Sequence, residues 1–321
     1  MRKIYLCCFI FCACLSFSIG AYAKEPEFLG FAALIRDTSN PYWKTVEDGL
    51  RDAAQAHSIT IKIHSLKNTM DAEEQLNQCE TLLLKRPDVI IFAAVNNASI
   101  SSCLKKAEKS GTILIDIDGN INEETAHKLG LNVRFSVASN NYELGKKAAF
   151  YLTDQKNIPS NSALVIEGPS ISEPGNLRVK GFIENLPKNY KIVSRQPADW
   201  DRLKAADLVN RVLLQHPETS VIFAANDTMA LGAAEAVSLL KKKVIVIGVD
   251  GTADAVSAIK SGKLTASVAQ FPYLMAEKSV ELGLKSFGGE KISPYHQNVP
   301  VLVIDQNELT HNTNPLLYYM R

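Results

Sequence analysis

Arg86-Pro87-Asp88-Val89-Ile90-Ile91-Phe92-Ala93-Ala94-Val95-Asn96-Asn97 returns later in the chain as His216-Pro217-Glu218-Thr219-Ser220-Val221-Ile222-Phe223-Ala224-Ala225-Asn226-Asp227. Each copy opens on a proline turn, runs through an apolar stretch ending in Phe-Ala-Ala, and stops on asparagine. A run such as Val-Ile-Ile-Phe-Ala-Ala has no polar face, which suits a strand covered by helices on both sides of a sheet. Farther along, each copy is followed by another apolar strand ending in Asp-Gly, at Asp118-Gly119 and Asp250-Gly251. The repetition predicts two similar lobes.

Working outward, strand-like and helix-like runs alternate almost throughout. In the first half the strands are Phe28–Ile35, Ile59–Ser65, Val89–Ala94 and Thr112–Ile117. Helices lie between them: one with Trp43, Val46, Leu50 and Ala54 on a face, one around Glu74–Lys85, one around Ala98–Ser110. In the second half Ser162–Glu167, Tyr190–Gln196, Ser220–Ala225, Val244–Val249 and Ala266–Gln270 read as strands. Helices near Asn176–Leu186, Asp201–Gln215, Asp227–Leu240 and Ala253–Ser261 separate them. Such alternation requires right-handed crossovers, so the fold class is α/β, with a doubly wound parallel sheet in each lobe. Asn40-Pro41 marks a helix start, and Asp199 and Asp227 are candidate caps.

The 321 residues suffice for two domains, each with a buried core. A formal charge of +1 gives no bulk electrostatic case for nucleic acid or an anionic membrane. Arg2 and Lys3 precede an uncharged apolar run from Ile4 to Ile19, and Ala21-Tyr22-Ala23 places small residues where a signal peptidase reads. Residues 1–23 therefore read as a signal peptide cleaved before Lys24, and the protein as periplasmic. The apolar run is shorter than the ~20 residues needed to span a bilayer. A lipoprotein reading through Cys14 lacks the usual aliphatic lead. Four of the six cysteines leave with this peptide, and Cys79 and Cys103 remain. With strand order 2-1-3-4 the second and third helices are neighbours on one sheet face. A Cys79–Cys103 bridge and two buried free thiols are both compatible with that placement.

In open α/β sheets ligands bind beyond the carboxyl ends of the strands. The residues there are Arg36, Asn40, Asp118, Asn226, Asp250 and Gln270, with Tyr42, Trp43 and Trp200 close by. Carboxylates, amides and a guanidinium donate and accept hydrogen bonds in fixed planes, and an aromatic face covers the C–H face of a ring. That chemistry suits a sugar. Each residue also has a plainer reading. Asn40 can simply cap a helix, Asp118-Gly119 and Asp250-Gly251 can simply turn the chain, Trp43 can be core, and Arg36 can pair with Asp37 or Glu47. The case rests on recurrence at equivalent strand ends in both halves. No glycine-rich dinucleotide fingerprint, phosphate loop, nucleophile elbow or paired-histidine zinc motif is present, so neither an enzyme nor a cofactor nor a metal is expected.

Ser39-Asn40-Pro41-Tyr42-Trp43, Ser194–Arg202, Ala225–Gly232 and Gly248–Gly251 closely resemble the periplasmic ribose- and allose-binding proteins of bacterial ABC transporters. The resemblance covers essentially the whole mature chain. It implies the type I binding-protein fold, two doubly wound lobes joined by three crossing strands near Ala138–Asn140, Gln270–Phe271 and Val299–Val301. The lobes would then comprise residues 24–139 plus 271–299, and 140–270 plus 300–321. It also implies ligand contacts from Asn40, Tyr42, Trp43, Asp118, Trp200, Asn226, Asp250 and Gln270. Four positions depart from the ribose pattern. Ala93 stands where ribose binders carry asparagine, Arg36 replaces a small polar residue, and Asn176 falls near where they place an arginine. Gly119 follows Asp118 where a larger side chain is usual. These departures point to a six-membered ring, an allose-like hexose or a cyclitol, rather than ribose.

The resemblance further implies a monomer that closes on a monosaccharide or cyclitol and delivers it to an ABC transporter permease. Presentation of the ligand to a chemoreceptor or sensor kinase is the alternative. A repressor sharing these lobes would need an N-terminal helix-turn-helix where the export signal stands.

Overall fold

The computed structural model describes residues 30–68, 70–155, 158–311 and 313–320; the signal-peptide and cleavage-site expectations fall outside them. Its first part alternates β1 (Gly30–Ile35), α1 (Pro41–Ala56), β2 (Thr60–Ser65), α2 (Ala72–Leu83), β3 (Val89–Phe92), α3 (Asn97–Lys109), β4 (Ile113–Ile117), α4 (Glu123–Leu129) and β5 (Val133–Ser139). The second part continues with α5 (Asn141–Tyr151), β6 (Ser162–Glu167), α6 (Glu173–Asn185), β7 (Lys191–Pro197), α7 (Arg202–Gln215), β8 (Val221–Ala224), α8 (Asp227–Leu239), β9 (Ile245–Asp250), α9 (Ala253–Lys260) and β10 (Ala266–Ala269). Then come α10 (Pro272–Phe287), β11 (His296–Val299), β12 (Leu302–Asp305) and α11 (Gln306–His311).

Two six-stranded sheets result, in the orders β11-β5-β4-β3-β1-β2 and β12-β10-β9-β8-β6-β7. The predicted order 2-1-3-4 holds in the first sheet. Except for antiparallel β12, all the neighbours run parallel. The chain passes from one sheet to the other after β5, after β10 and between β11 and β12. β3 and β8 are buried along their whole length, as their lack of a polar face requires.

Helices α2 and α3 pack side by side, and Cys79 and Cys103 form a disulfide with Cα atoms 6.3 Å apart. Of the two open readings, the bridge is the one realised. Two helix starts differ from expectation. The cap of α7 is Asp201, which accepts from the Lys204 N–H at 2.8 Å, while Asp199 adopts a left-handed backbone in the turn before it. The cap of α8 is Asn226, and Asp227 instead binds the turn after β9. The periodicity did not mark α4, α5, α10 or α11. The buried face of α5 is Asn141, Leu144, Gly145, Ala148 and Ala149, too small to leave a strong apolar signal.

Close helix packing positions one element of the site. A Cβ on Gly145 of α5 would lie 1.8 Å from the Arg178 carbonyl oxygen of α6, and one on Gly181 would lie 2.0 Å from that of Tyr142. Only glycine permits this approach, and it sets where α6 holds the Arg178 side chain.

Candidate functional site

The carboxyl ends of the two sheets face each other across a small chamber lined by Arg36, Asn40, Tyr42, Trp43, Asp118, Ser172, Pro174, Arg178, Trp200, Asn226, Asp250 and Gln270. The centres of water molecules have about 40 Å³ in which to move there. Adding a water radius on every side gives roughly 180 Å³, about six waters, which is room for one monosaccharide and too little for two.

In the first lobe, Asn40 caps α1 by accepting from the Tyr42 N–H at 3.0 Å, which leaves its Nδ2 for other partners. The same start sends Tyr42 inward, where its hydroxyl donates to Asp118 Oδ1 at 2.7 Å. Arg36 donates to the Ala94 carbonyl at 2.6 Å and to Asn120 Oδ1 at 2.9 Å, and its guanidinium lies 5.8 Å from the Trp43 ring centroid. It pairs with neither Asp37 nor Glu47 among the described contacts. Trp43 is both core and wall, 5 % exposed and lining the chamber. Beneath them Asp116 accepts from Ser136 Oγ at 2.6 Å and from the Ile121 N–H at 3.2 Å, holding the turn that carries Asp118.

The second lobe repeats the arrangement from different elements. Arg178, inside α6, donates to the Ala225 carbonyl at 2.8 Å, to Asn141 Oδ1 at 2.8 Å and to Asp250 Oδ1 at 3.3 Å. Its guanidinium lies 5.9 Å from the Trp200 ring. Ala94 and Ala225 each close the Phe-Ala-Ala run of the repeat, so each arginine is braced by a carbonyl just beyond the central strand of its own lobe. Gln270 donates to Asp250 Oδ1 at 2.5 Å, and Asn226 caps α8 through Oδ1 at 2.9 Å. Asp227 gathers the Gly251 and Thr252 N–H groups, each at 2.8 Å, and Ser267 Oγ at 2.6 Å, fixing the turn that carries Asp250. Trp200 lies against Gly168 and Gly175, where any Cβ would collide with the indole.

Asp118, Asp199, Trp200, Asp250 and Phe271 all have positive φ, so left-handed backbone concentrates at this site. Such strain costs of order 1–3 kcal/mol per residue and persists only where the surroundings over-determine it.

Two buried arginines and two buried aspartates face the chamber, so their charges balance. Burial pushes the Asp118 carboxyl upward, against the pull of Arg178 from the opposite lobe and Arg36 from its own. Burial also raises Asp250, with Arg178 and Gln270 opposing, and raises Asp227 beside it. Asp116, buried next to Asp118, is pushed up to about 8 chiefly by desolvation. Burial and the Asp118 charge hold the Tyr42 hydroxyl protonated. Two lining side chains keep a buried atom without a hydrogen-bond partner, the donor Nε of Arg36 and the acceptor Oε1 of Gln270. A hydroxyl is both donor and acceptor and can satisfy either.

Nine of the ten residues singled out from the sequence meet here. Asn176 does not: it is exposed, and its Nδ2 donates to the Ser170 carbonyl at 2.8 Å. The arginine sought near that position is Arg178, two residues on and half a helical turn round, facing inward. Ser172 and Pro174 were also missed, because they sit at the start of α6, as its cap and in its first turn, rather than at a strand end. Ala93 is fully buried and does not line the chamber.

A family model described as a periplasmic binding protein domain matches residues 31–291. The D-allose-binding periplasmic protein of Escherichia coli is 31% identical over 279 residues, covering 86% of this chain and 90% of that protein. A ribose import binding protein of Bacillus subtilis is 29% identical, covering 79% and 80%. Among solved structures, an ABC transporter periplasmic solute binding protein from Actinobacillus succinogenes with bound D-allose superimposes with a TM-score of 0.80. It is 26% identical, and the match covers 88% of this chain and 99% of that one. Two parallel-sheet lobes, three crossings and a chamber between the strand ends agree with these matches, and the chain belongs to the periplasmic binding protein family.

Proposed function

We propose that this protein is an exported, monomeric solute-binding protein that closes two lobes on one neutral monosaccharide or related ring polyol and hands it to an ABC transporter permease. The observation that carries the reading is the charge-balanced chamber, of a size for one sugar ring, with one donor and one acceptor still unpaired. Arg36, Asn40, Tyr42, Trp43, Asp118, Arg178, Trp200, Asn226, Asp250 and Gln270 are the ligand contacts. The lobes divide as residues 24–139 plus 271–299 and 140–270 plus 300–321, with a signal peptide over 1–23 removed before Lys24. The ligand leaves unchanged, without catalysis.

A six-membered ring is favoured. A side chain at Gly119 would meet Ala138 at 3.0 Å on a backbone with φ of 76°. No side chain follows Asp118 into the chamber, and the cation of the first lobe is Arg36, just after β1. One named relative is a ribose import binding protein and one solved structure is an ABC transporter solute binding protein, which favours delivery to a permease over a sensory partner.

The test is a thermal-shift panel of D-allose, D-ribose, D-glucose and myo-inositol on the mature chain. A ligand at a thousand times its Kd stabilises by about 4 kcal/mol. A pyranose or cyclitol is expected to give the largest shift, with ligand recovered intact. No shift with any neutral sugar or cyclitol overturns the reading. N-terminal sequencing of the exported protein checks Lys24.

A further inference from the structure

Asn120 lies two residues beyond Asp118, is 6% exposed, and is not among the residues lining the chamber. Its side-chain amide nevertheless touches both charged groups of its lobe. Oδ1 accepts from Arg36 at 2.9 Å, and Nδ2 donates to Asp118 Oδ2 at 3.3 Å. The amide is itself fixed: Asn97 Nδ2 donates to the Asn120 carbonyl at 2.9 Å, and the next N–H is held by Asp116.

A guanidinium and a carboxylate in a water-poor site attract strongly, and a direct bidentate pair would use the faces of both. Among the described contacts Arg36 makes no direct hydrogen bond to Asp118. The amide stands between them, offering an acceptor to one and a donor to the other, and Arg36 Nε is left without a partner. The second lobe is built differently, since Arg178 touches Asp250 directly and Asn141 bridges nothing to that carboxylate.

We propose that Asn120 is a positioning residue for ligand recognition: its amide holds Arg36 and Asp118 apart, so that each presents a separate hydrogen-bonding position to one sugar. The proposal rests on the sugar-binding reading above. It predicts that selectivity among epimers depends on a residue outside the chamber. Asn120→Ala removes both contacts of the amide, whereas Asn120→Asp keeps the acceptor for Arg36 and loses the donor to Asp118.

Two measurements test it. Because Arg36 lies over Trp43, the emission of Trp43 in a Trp200→Phe background reports the guanidinium with no ligand present. Asn120→Ala is expected to change that emission and Asn120→Asp to preserve it. Calorimetric titration with D-allose and its epimer D-glucose is the second measurement. Loss of a hydrogen bond to a charged group should weaken the tighter-binding sugar by about tenfold or more in both variants. The affinity ratio between the two sugars should fall toward one. An equal loss for both sugars that tracks a lowered melting temperature marks a merely structural residue and overturns the proposal. If the parent protein binds neither of these two sugars, the titration is run with the tightest ligand of the thermal-shift panel and its epimer. If nothing in that panel binds, the function proposed above fails, and unchanged Trp43 emission in Asn120→Ala is then the result that sinks the role of Asn120.

Discussion

Reducing the Cys79–Cys103 bond changes one covalent link and nothing in the ligand chamber, so its effect on stability can be worked out in advance. The cysteines are 24 residues apart and both are fully buried. In the chain-entropy account, freeing a loop of that length restores about 11.6 cal/mol/K to the unfolded chain, or about 3.5 kcal/mol at 25 °C. With a urea m-value of about 2–3 kcal/mol/M, the midpoint of the lobe that holds the bond should fall by about 1.2–1.7 M. The two tryptophans allow the lobes to be followed separately. Trp43 lies in the first lobe, which holds the disulfide, and Trp200 in the second. Equilibrium urea curves would be recorded with and without dithiothreitol, using Trp200→Phe to follow Trp43 and Trp43→Phe to follow Trp200. The Trp43 transition should move and the Trp200 transition should stay nearly where it was. A Trp43 midpoint unchanged by reductant would refute the loop-entropy reasoning. Equal shifts in both would show that the lobes unfold as one unit.

Four further outcomes are expected. Asp250→Asn should weaken binding of the best sugar in the thermal-shift panel by roughly 1.5–3 kcal/mol, read by calorimetry, because a charged acceptor becomes a neutral amide. Asp116 is pushed up to about 8, so the folded protein keeps a proton that the unfolded chain releases near the ordinary carboxylate value of about 3.9. Stability relative to Asp116→Asn should therefore be greatest below about pH 4 and fall as pH rises toward 8, by at most about 1.4 kcal/mol per unit; a flat difference between pH 5 and 8 contradicts it. Gly145→Ala should drive α5 and α6 apart, lowering stability by about 1–3 kcal/mol and weakening ligand binding through Arg178, whereas Gly288→Ala, with its nearest contact at 3.4 Å, should do little; circular-dichroism melts decide. Ligand binding should change the emission of both Trp43 and Trp200, and a tight ligand that leaves either unchanged places that tryptophan outside the contact set.

Strands without a polar face were legible because burial on both sides leaves an uninterrupted apolar run, as in β3 and β8. Their carboxyl ends carried most of the candidate site with them. Arg178 escaped because it comes from the second turn of a helix, where an arginine ordinarily reads as solvated surface. Its burial depends on the Gly145–Gly181 crossing, a tertiary contact with no local signature. The segment from Pro169 to Gly175, which runs into the first turn of α6, moved the register by two residues and put Asn176 forward in its place. Asn120 was equally hidden, since an asparagine shortly after Asp-Gly looks like ordinary turn chemistry. The pairing of Cys79 with Cys103 was legible as a possibility from strand order alone, and only the packing of α2 on α3 decided it.

The three crossings between the sheets bear on when this protein can fold. The first sheet takes its edge strand β11 from residues 296–299, and α10, which packs on α1 and β4, precedes it by a few residues. The second sheet likewise waits for β12 at residues 302–305. A chain emerging from its N-terminus therefore holds an unfinished first half, with an uncovered sheet face and an open edge, until nearly all of it has been released. Each half therefore receives its last strand from residues 296–305, and both are completed by the same late stretch of chain even though each then stands on its own core.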